Sequence, residues 1–197
     1  MGISISKIRC YLKLSLFQTI LFTTIYGITN YFSTRHFYQF KFYTSYELEI
    51  PLMPGMIIAY FSLNLLMILP VYLLDENEMG KLNKSMTFAT IVAGIIFLLF
   101  PAPCGFERFE VVGFFAPFFK NLYKVDYNGN TLPSLHITYS FMLVSIYILK
   151  YEKFKLFFKV WFLLIAVSVV LTHQHHIADI LAGIILGHYS VKYFYEA

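Results

Sequence analysis

Six apolar stretches constrain this chain more than any other feature. They run near residues 14–32, 55–74, 86–101, 133–150, 156–172 and 177–195. A helix crosses a bilayer with roughly 17–25 mostly apolar residues, and all six are near or within that length. The strict apolar–polar alternation of a membrane β-barrel is sustained nowhere. Composition agrees: of 197 residues 58% are hydrophobic and 13% charged, against about 45–50% and 25% in an ordinary soluble domain. Mean hydropathy is +0.65. The expected fold is all-α: a polytopic membrane protein with six transmembrane helices in a bundle, one domain over 1–197, and an interfacial loop between the third and fourth helices.

Prolines mark the edges. Pro51 and Pro54 precede the second stretch, Pro101 and Pro103 close the third, and Pro133 opens the fourth. A missing N–H costs nothing in a first helical turn, whereas Pro70, inside the second stretch, is expected to kink it. Orientation follows from the basic residues. With the N-terminus in the cytoplasm, Lys7, Arg9, Lys13, Lys81, Lys84, Lys150, Lys153, Lys155, Lys159 and Lys192 lie inside. Arg35, Lys41, Arg108, Lys120 and Lys124 lie outside. Lys7, Arg9 and Lys13 precede an apolar stretch with no small-residue cleavage site after it, so an anchor is expected rather than a signal peptide. "MGISIS" fits an acylation pattern on Gly2, a pattern common by chance, and a multi-span protein gains little from one acyl chain.

The net charge of +4 is modest, and no basic tract suited to nucleic acid occurs. Cys10 and Cys104 fall on opposite sides in this topology and lack metal-ligand spacing. The aromatic run from Phe37 to Ile50 is expected to lie along the outer surface, and the segment from Ala102 to Leu132, long for a loop, reads as amphipathic and interfacial.

Two fragments on the outer face carry candidate chemistry. In "THQHHIADILAG", from Thr172 to Gly183, His175 and Asp179 stand four apart and so share one helix face. A carboxylate near a membrane needs a partner. A bond from His175 Nδ1–H would satisfy it, fix the tautomer and leave Nε2 as a nucleophile. The plainer reading is a structural pair at a wet interface, with His176 an interface residue. In "LPSLHITYS", Pro133 starts a helix, with Ser134 in its first turn and His136 just after. Free N–H groups there can hold an anion, and a histidine can protonate a leaving alkoxide. A capping serine and an interfacial histidine explain the fragment equally well when it stands alone.

Together the fragments resemble the type 2 phosphatidic acid phosphatase superfamily, which includes lipid phosphate phosphatases and sphingolipid headgroup transferases. The family's second motif, P-S-x-H, is matched by Pro133, Ser134, Leu135 and His136. Its third, S-R-x5-H-x-x-x-D-x-x-x-G, is matched at Ser168, His175, Asp179 and Gly183, with Val169 in place of the arginine. The first motif, K-x6-R-P, is absent as written. "FPAPCGFER" stands after the third stretch instead and is similar to a proline-rich stretch in the inositol phosphorylceramide synthase branch. "ELEIPLMPGMIIAYFSLNLLMILP" and the run from Thr172 to His176 are similar to that branch as well, which also lacks the third-motif arginine. The likeness extends from about Glu47 onward, with the catalytic part about 100–185.

The resemblance implies a metal-independent enzyme without a cofactor. His175 attacks phosphorus and carries a phosphohistidine, Asp179 orients it, and His136 protonates the leaving group and then activates the acceptor. Ser134 helps hold phosphate. Arg108 is the first candidate for the offsetting cation, since its fork suits phosphate; Lys120, Lys124 and His173 follow. A metal reading would gather His136, His173, His175, His176 and Asp179, but the spacing is poor for ligands. The expected function is a lipid phosphatase acting on a phosphate or pyrophosphate ester at the non-cytoplasmic face. A lipid hydroxyl as acceptor would make it a headgroup transferase, and a non-catalytic lipid-binding or assembly protein is the reading from a different class. The lipid, the acceptor and the oligomeric state are open.

Overall fold

A computed structural model describes residues 4–33, 35, 38–125 and 129–196. Gly2, His36 and Phe37 lie outside them. The architecture is all-helical; among the described residues the sole β contact is an isolated bridge between Ala102 and Asn130.

The first helix, α1 (Ile5–Ser33), begins well before the apolar stretch and includes Lys7, Arg9 and Lys13. The second stretch is a segmented rod. A 3-10 turn at Pro54–Met56 leads into α2 (Ile57–Phe61), α3 (Leu63–Ile68) and α4 (Pro70–Leu73). Ser62 and Leu69, at the breaks, keep right-handed helical backbone, so the direction continues. Pro70 has no N–H to give the Leu66 carbonyl. The Tyr147 hydroxyl donates to that carbonyl instead, at 2.8 Å, so a bond lost within one helix becomes a bond between two.

Helix α5 (Glu76–Leu99) opens on a reciprocal cap. The Asp75 carboxylate accepts the Glu78 N–H and the Glu78 carboxylate accepts the Asp75 N–H. Glu78 also pairs with Lys150, joining the ends of two helices. The segment after α5 contains α6 (Ala116–Val125), whose Phe119 is buried between exposed Phe118 and Lys120. Then come α7 (Leu135–Lys150), α8 (Lys155–Leu171) and α9 (Ile177–Phe194). Helix α7 starts a residue or two later than proline placement implies, because Ser134 is its cap and Pro133 lies outside.

Helices therefore occupy all six apolar stretches. Among the described residues four helices are long and apolar enough to cross a membrane: Ile5–Ser33, Pro54–Leu73, Glu76–Leu99 and Glu152–Leu171. Helix α7 is apolar but has 16 residues, and α9 carries Asp179, His188 and Lys192. The chain is a membrane protein with an all-helical fold.

Helix α7 is the hub, packing on α3, α5, α8 and α9, while α1 packs on α5. Apolar burial gains little between helices in lipid, so close packing and polar ties decide the register. The Gln18 amide donates to Thr90 Oγ1 and to the Tyr139 hydroxyl, both at 2.9 Å, tying α1, α5 and α7 together. Such bonds average about 0.6 kcal/mol in membranes, enough to select a register rather than to drive assembly. Glycine governs the α7–α9 seam. A Cβ on Gly183 would stand 2.7 Å from the Ser134 carbonyl oxygen, and one on Gly187 would stand 3.0 Å from that of Thr138.

Candidate active site

The site is built at one end of the bundle, from the turn between α8 and α9 and the first turn of α7. Helix α8 ends in a Schellman-type reversal. The Val169 carbonyl accepts N–H bonds from both Gln174 and His175, at 2.9 and 3.0 Å, and His173 takes a left-handed conformation, with φ of 56°. This reversal separates the three histidines. Val169, where the resemblance expects arginine, is fully buried in the core, so any cation for a ligand comes from elsewhere.

His175 Nδ1 lies 3.4 Å from Asp179 Oδ2. The same oxygen accepts the His176 N–H at 2.8 Å, so Asp179 caps its own helix while facing His175. The carboxylate is 1% exposed and the imidazole 13%. That distance is at the long end for a hydrogen bond, as is common in ligand-free catalytic pairs. With the proton on Nδ1, the His175 Nε2 lone pair is free.

The first turn of α7 docks on the same helix, through the Ser134 N–H donating to the Asp179 carbonyl at 3.1 Å. Ser134 Oγ accepts the Ile137 N–H at 3.3 Å. The Leu135 and His136 N–H groups lie outside the helix's own ladder. His136 stacks on Tyr60 at 4.1 Å between ring centres and bonds the Tyr60 backbone. Its Nε2 is buried with no partner among the described residues.

His136 and His175 line one cavity of about 1350 Å³. It runs from these two imidazoles past Tyr139 and Gln18 to Met79 and Leu82, near the other end of α5. Arg35 lines it too, a cation that the sequence reading did not select. Arg108, Lys120, Lys124, His173 and Ser134 are not among its described lining residues. The Arg108 guanidinium lies over the Tyr123 ring, 4.8 Å from its centre, and donates to the Tyr123 carbonyl. Lys120 and Lys124 are exposed on α6. His173 is held in structure: its Nε2 meets the Ile50 carbonyl at 2.9 Å and its ring stacks on Phe106 at 4.1 Å.

His176, expected at an interface, is 1% exposed. Its ring is sandwiched by Tyr43 and Phe106, at 4.3 and 4.5 Å. Nε2 accepts the Gly105 N–H at 3.0 Å, which places the ring proton on Nδ1, 3.4 Å from Glu47 Oε2. Burial holds His176 below the ordinary imidazole value, against the raising pull of Asp179 and Glu47. Burial lowers His173 likewise, against its bond to Ile50. Burial acts to raise Glu47, but bonds from the Ile177 and Thr44 N–H groups, with nearby His176, outweigh it and hold the carboxyl below its usual range. Sequence reasoning missed Glu47, Tyr43, Gly105 and Tyr60. Two glutamates, Glu47 and Glu49, in an aromatic outer segment were the available signal for the first.

A membrane helix bundle holding a histidine–carboxylate pair and a second histidine on one cavity defines a class: membrane proteins equipped for acid–base and nucleophilic chemistry. Residues 56–192 match the family described as the PAP2 superfamily, well over half of the chain, and the chain belongs to that superfamily. Membership points to a phosphatase-type membrane enzyme. Comparisons with curated proteins and with solved structures return no match.

Proposed function

We propose that this protein is a lipid phosphatase that hydrolyses a phosphate or pyrophosphate ester of a lipid through a phosphohistidine on His175. The carrying observation is the shared cavity: two imidazoles at one end, and a largely apolar space running down the bundle behind them. Its volume exceeds the roughly 300–1,000 Å³ usual for drug-sized ligands, and its position among the helices suits a lipid chain. In this reading the bundle has six spans, α6 lies in the headgroup region, and the site faces the non-cytoplasmic side, as the basic-residue bias implies. The whole chain acts as one domain.

The reaction needs no metal or cofactor in this account. The His175 Nε2 lone pair attacks phosphorus, the bond to the lipid oxygen breaks, and His136, in its imidazolium form with the second proton on Nε2, gives that oxygen a proton and becomes neutral. Asp179 stabilises the positive charge on His175. His136 then takes a proton from water as the water oxygen attacks phosphorus, the P–N bond breaks, and inorganic phosphate leaves. Ser134 and the open N–H groups of α7 bind phosphate oxygens. Arg35 lines the cavity already. Arg108 can join it by leaving Tyr123, and Lys120, Lys124 and His173 are weaker candidates. A lipid hydroxyl in place of water gives a headgroup transferase, a reading favoured by Val169 at the arginine position.

Purified protein in detergent with chelator, offered phosphatidic acid, a polyprenyl pyrophosphate and a phosphoinositide, tests the proposal. Free phosphate from wild type and none from His175→Ala is expected. A new lipid only when ceramide or diacylglycerol is present means the transferase. No product in any lane favours a non-catalytic protein.

A further inference from the structure

The segment from Thr44 to Met53 straps across the histidine turn. The Met53 N–H donates to the Leu171 carbonyl at 2.8 Å, and the Ile50 carbonyl meets His173 Nε2 at 2.9 Å. The third tie is the side chain of Glu47. Its Oε2 accepts the Ile177 N–H at 3.0 Å, across 130 positions of sequence, and faces His176 Nδ1 at 3.4 Å as a charge contact without hydrogen-bond geometry. Its Oε1 accepts from the Thr44 N–H and hydroxyl, at 3.0 and 3.2 Å, which stiffens the strap itself. The Ile177 N–H is among the first donors of α9, which have no partner within the helix, and a negative charge suits a helix N-terminus.

We propose that Glu47 is a positioning residue: its carboxylate clamps the start of α9 through the Ile177 N–H, places its charge against the Nδ1–H edge of His176, and so fixes the direction of the His175–Asp179 pair. His175 sits between two clamped neighbours, His173 and His176. Among the described residues, its side chain has one polar contact to orient it, the 3.4 Å approach to Asp179. Asp179 in turn takes its position from the His176 N–H. Loosening His176 therefore moves the carboxylate and the nucleophile together, relative to His136. Glu47 itself lines no part of the cavity among its described residues, so it acts through the turn and not on the lipid.

This inference rests on the reading of His175 as nucleophile, and its test separates the two. Full-length protein in detergent is prepared with ¹⁵N-labelled imidazoles, as wild type, Glu47→Gln and Glu47→Asp. A misplacement of about 1 Å can cost on the order of a hundredfold in rate. Glu47→Gln is expected to lower kcat for phosphatidic acid by that order with KM unchanged and to shift the His176 Nδ1–H resonance, and Glu47→Asp is expected to recover part of both. Wild-type kcat in Glu47→Gln overturns the proposal. So does an equal loss in both variants with a lowered melting temperature and an unmoved His176 signal, which marks a merely structural strap. If wild type turns over no lipid phosphate, the phosphatase reading fails, and the His176 resonance alone decides the clamp.

Discussion

The two seams of this bundle are built in opposite ways. Between α7 and α9 the backbones touch: a methyl group on Gly183 would reach within 2.7 Å of the Ser134 carbonyl. Helix α1 packs on α5 along one side, but toward α2–α4 and α7 the bundle opens into a cavity of about 1350 Å³, and a Cβ on Gly27, which lines that cavity, would meet nothing within 4 Å. The closed seam joins the start of α7, with Ser134 and His136, to the start of α9, with Asp179. The open seam gives the two histidines their apolar space. Chemistry is held where backbones meet, and room for a ligand is left where they part.

The comparison can be broken from either side. The largest effect is expected for His175→Ala, which should lower turnover by about 10⁴-fold or more without unfolding the protein; measurable product from that variant would remove the nucleophile from the closed seam. Next, Gly183→Ala should destabilise by about 1–3 kcal/mol, as overpacking does, and should cut activity more than it cuts stability because it forces Ser134 away from Asp179. Gly27→Ala, the matched change in the open seam, should be neutral or stabilising by up to ~1 kcal/mol, since alanine favours helix. Thermal melts of both variants decide the contrast, and equal losses would erase it. Gly27→Phe should sharpen it by raising KM for long-chain substrates while sparing short-chain ones.

Cation replacements should have smaller effects. Arg35→Ala and Arg108→Ala are each expected to lower kcat/KM by about tenfold, in line with the loss of one charge-assisted contact. A variant with unchanged kcat/KM loses its place in the phosphate set. The smallest expected effect is in acid. His173 and His176 bind protons less readily when folded than the ordinary imidazole value of 6.5 implies, so the unfolded chain takes up protons first and stability falls as pH drops below that value. Glu47, held below its ordinary 4.5, adds a further loss as pH falls through that range. Melting temperature followed from neutral pH downward measures this, and a flat profile would contradict it.

Much of this was legible in the linear chain, for identifiable reasons. Hydropathy is a local property, and each apolar stretch became a helix. The end of α1 near Ser33 was readable, but its start at Ile5 was not, because charged residues extend a helix beyond its apolar part. Spacing alone suggested that His175 and Asp179 share a helix face, but His175 stands before the extended N-cap His176 of α9, so the turn and not the helix period brings the imidazole to Asp179. Glu47 was not legible in this way. Its partners, Ile177 and His176, lie about 130 positions away, and no periodicity links residues at that distance. His176 was misread for the same reason: its burial depends on Tyr43 and Phe106, which come from two separate loops. The Tyr147 hydroxyl that replaces the bond lost at Pro70 is likewise a tertiary repair, invisible in either segment.

The most direct test of the central claim is to trap the intermediate. Full-length protein is mixed with phosphatidic acid carrying a labelled phosphate, quenched in alkali and mapped by mass spectrometry, beside His175→Ala. The account predicts an alkali-stable, acid-labile phosphate on His175 that is absent from the variant. Label on another residue, or lipid phosphate hydrolysis by the variant, would contradict it.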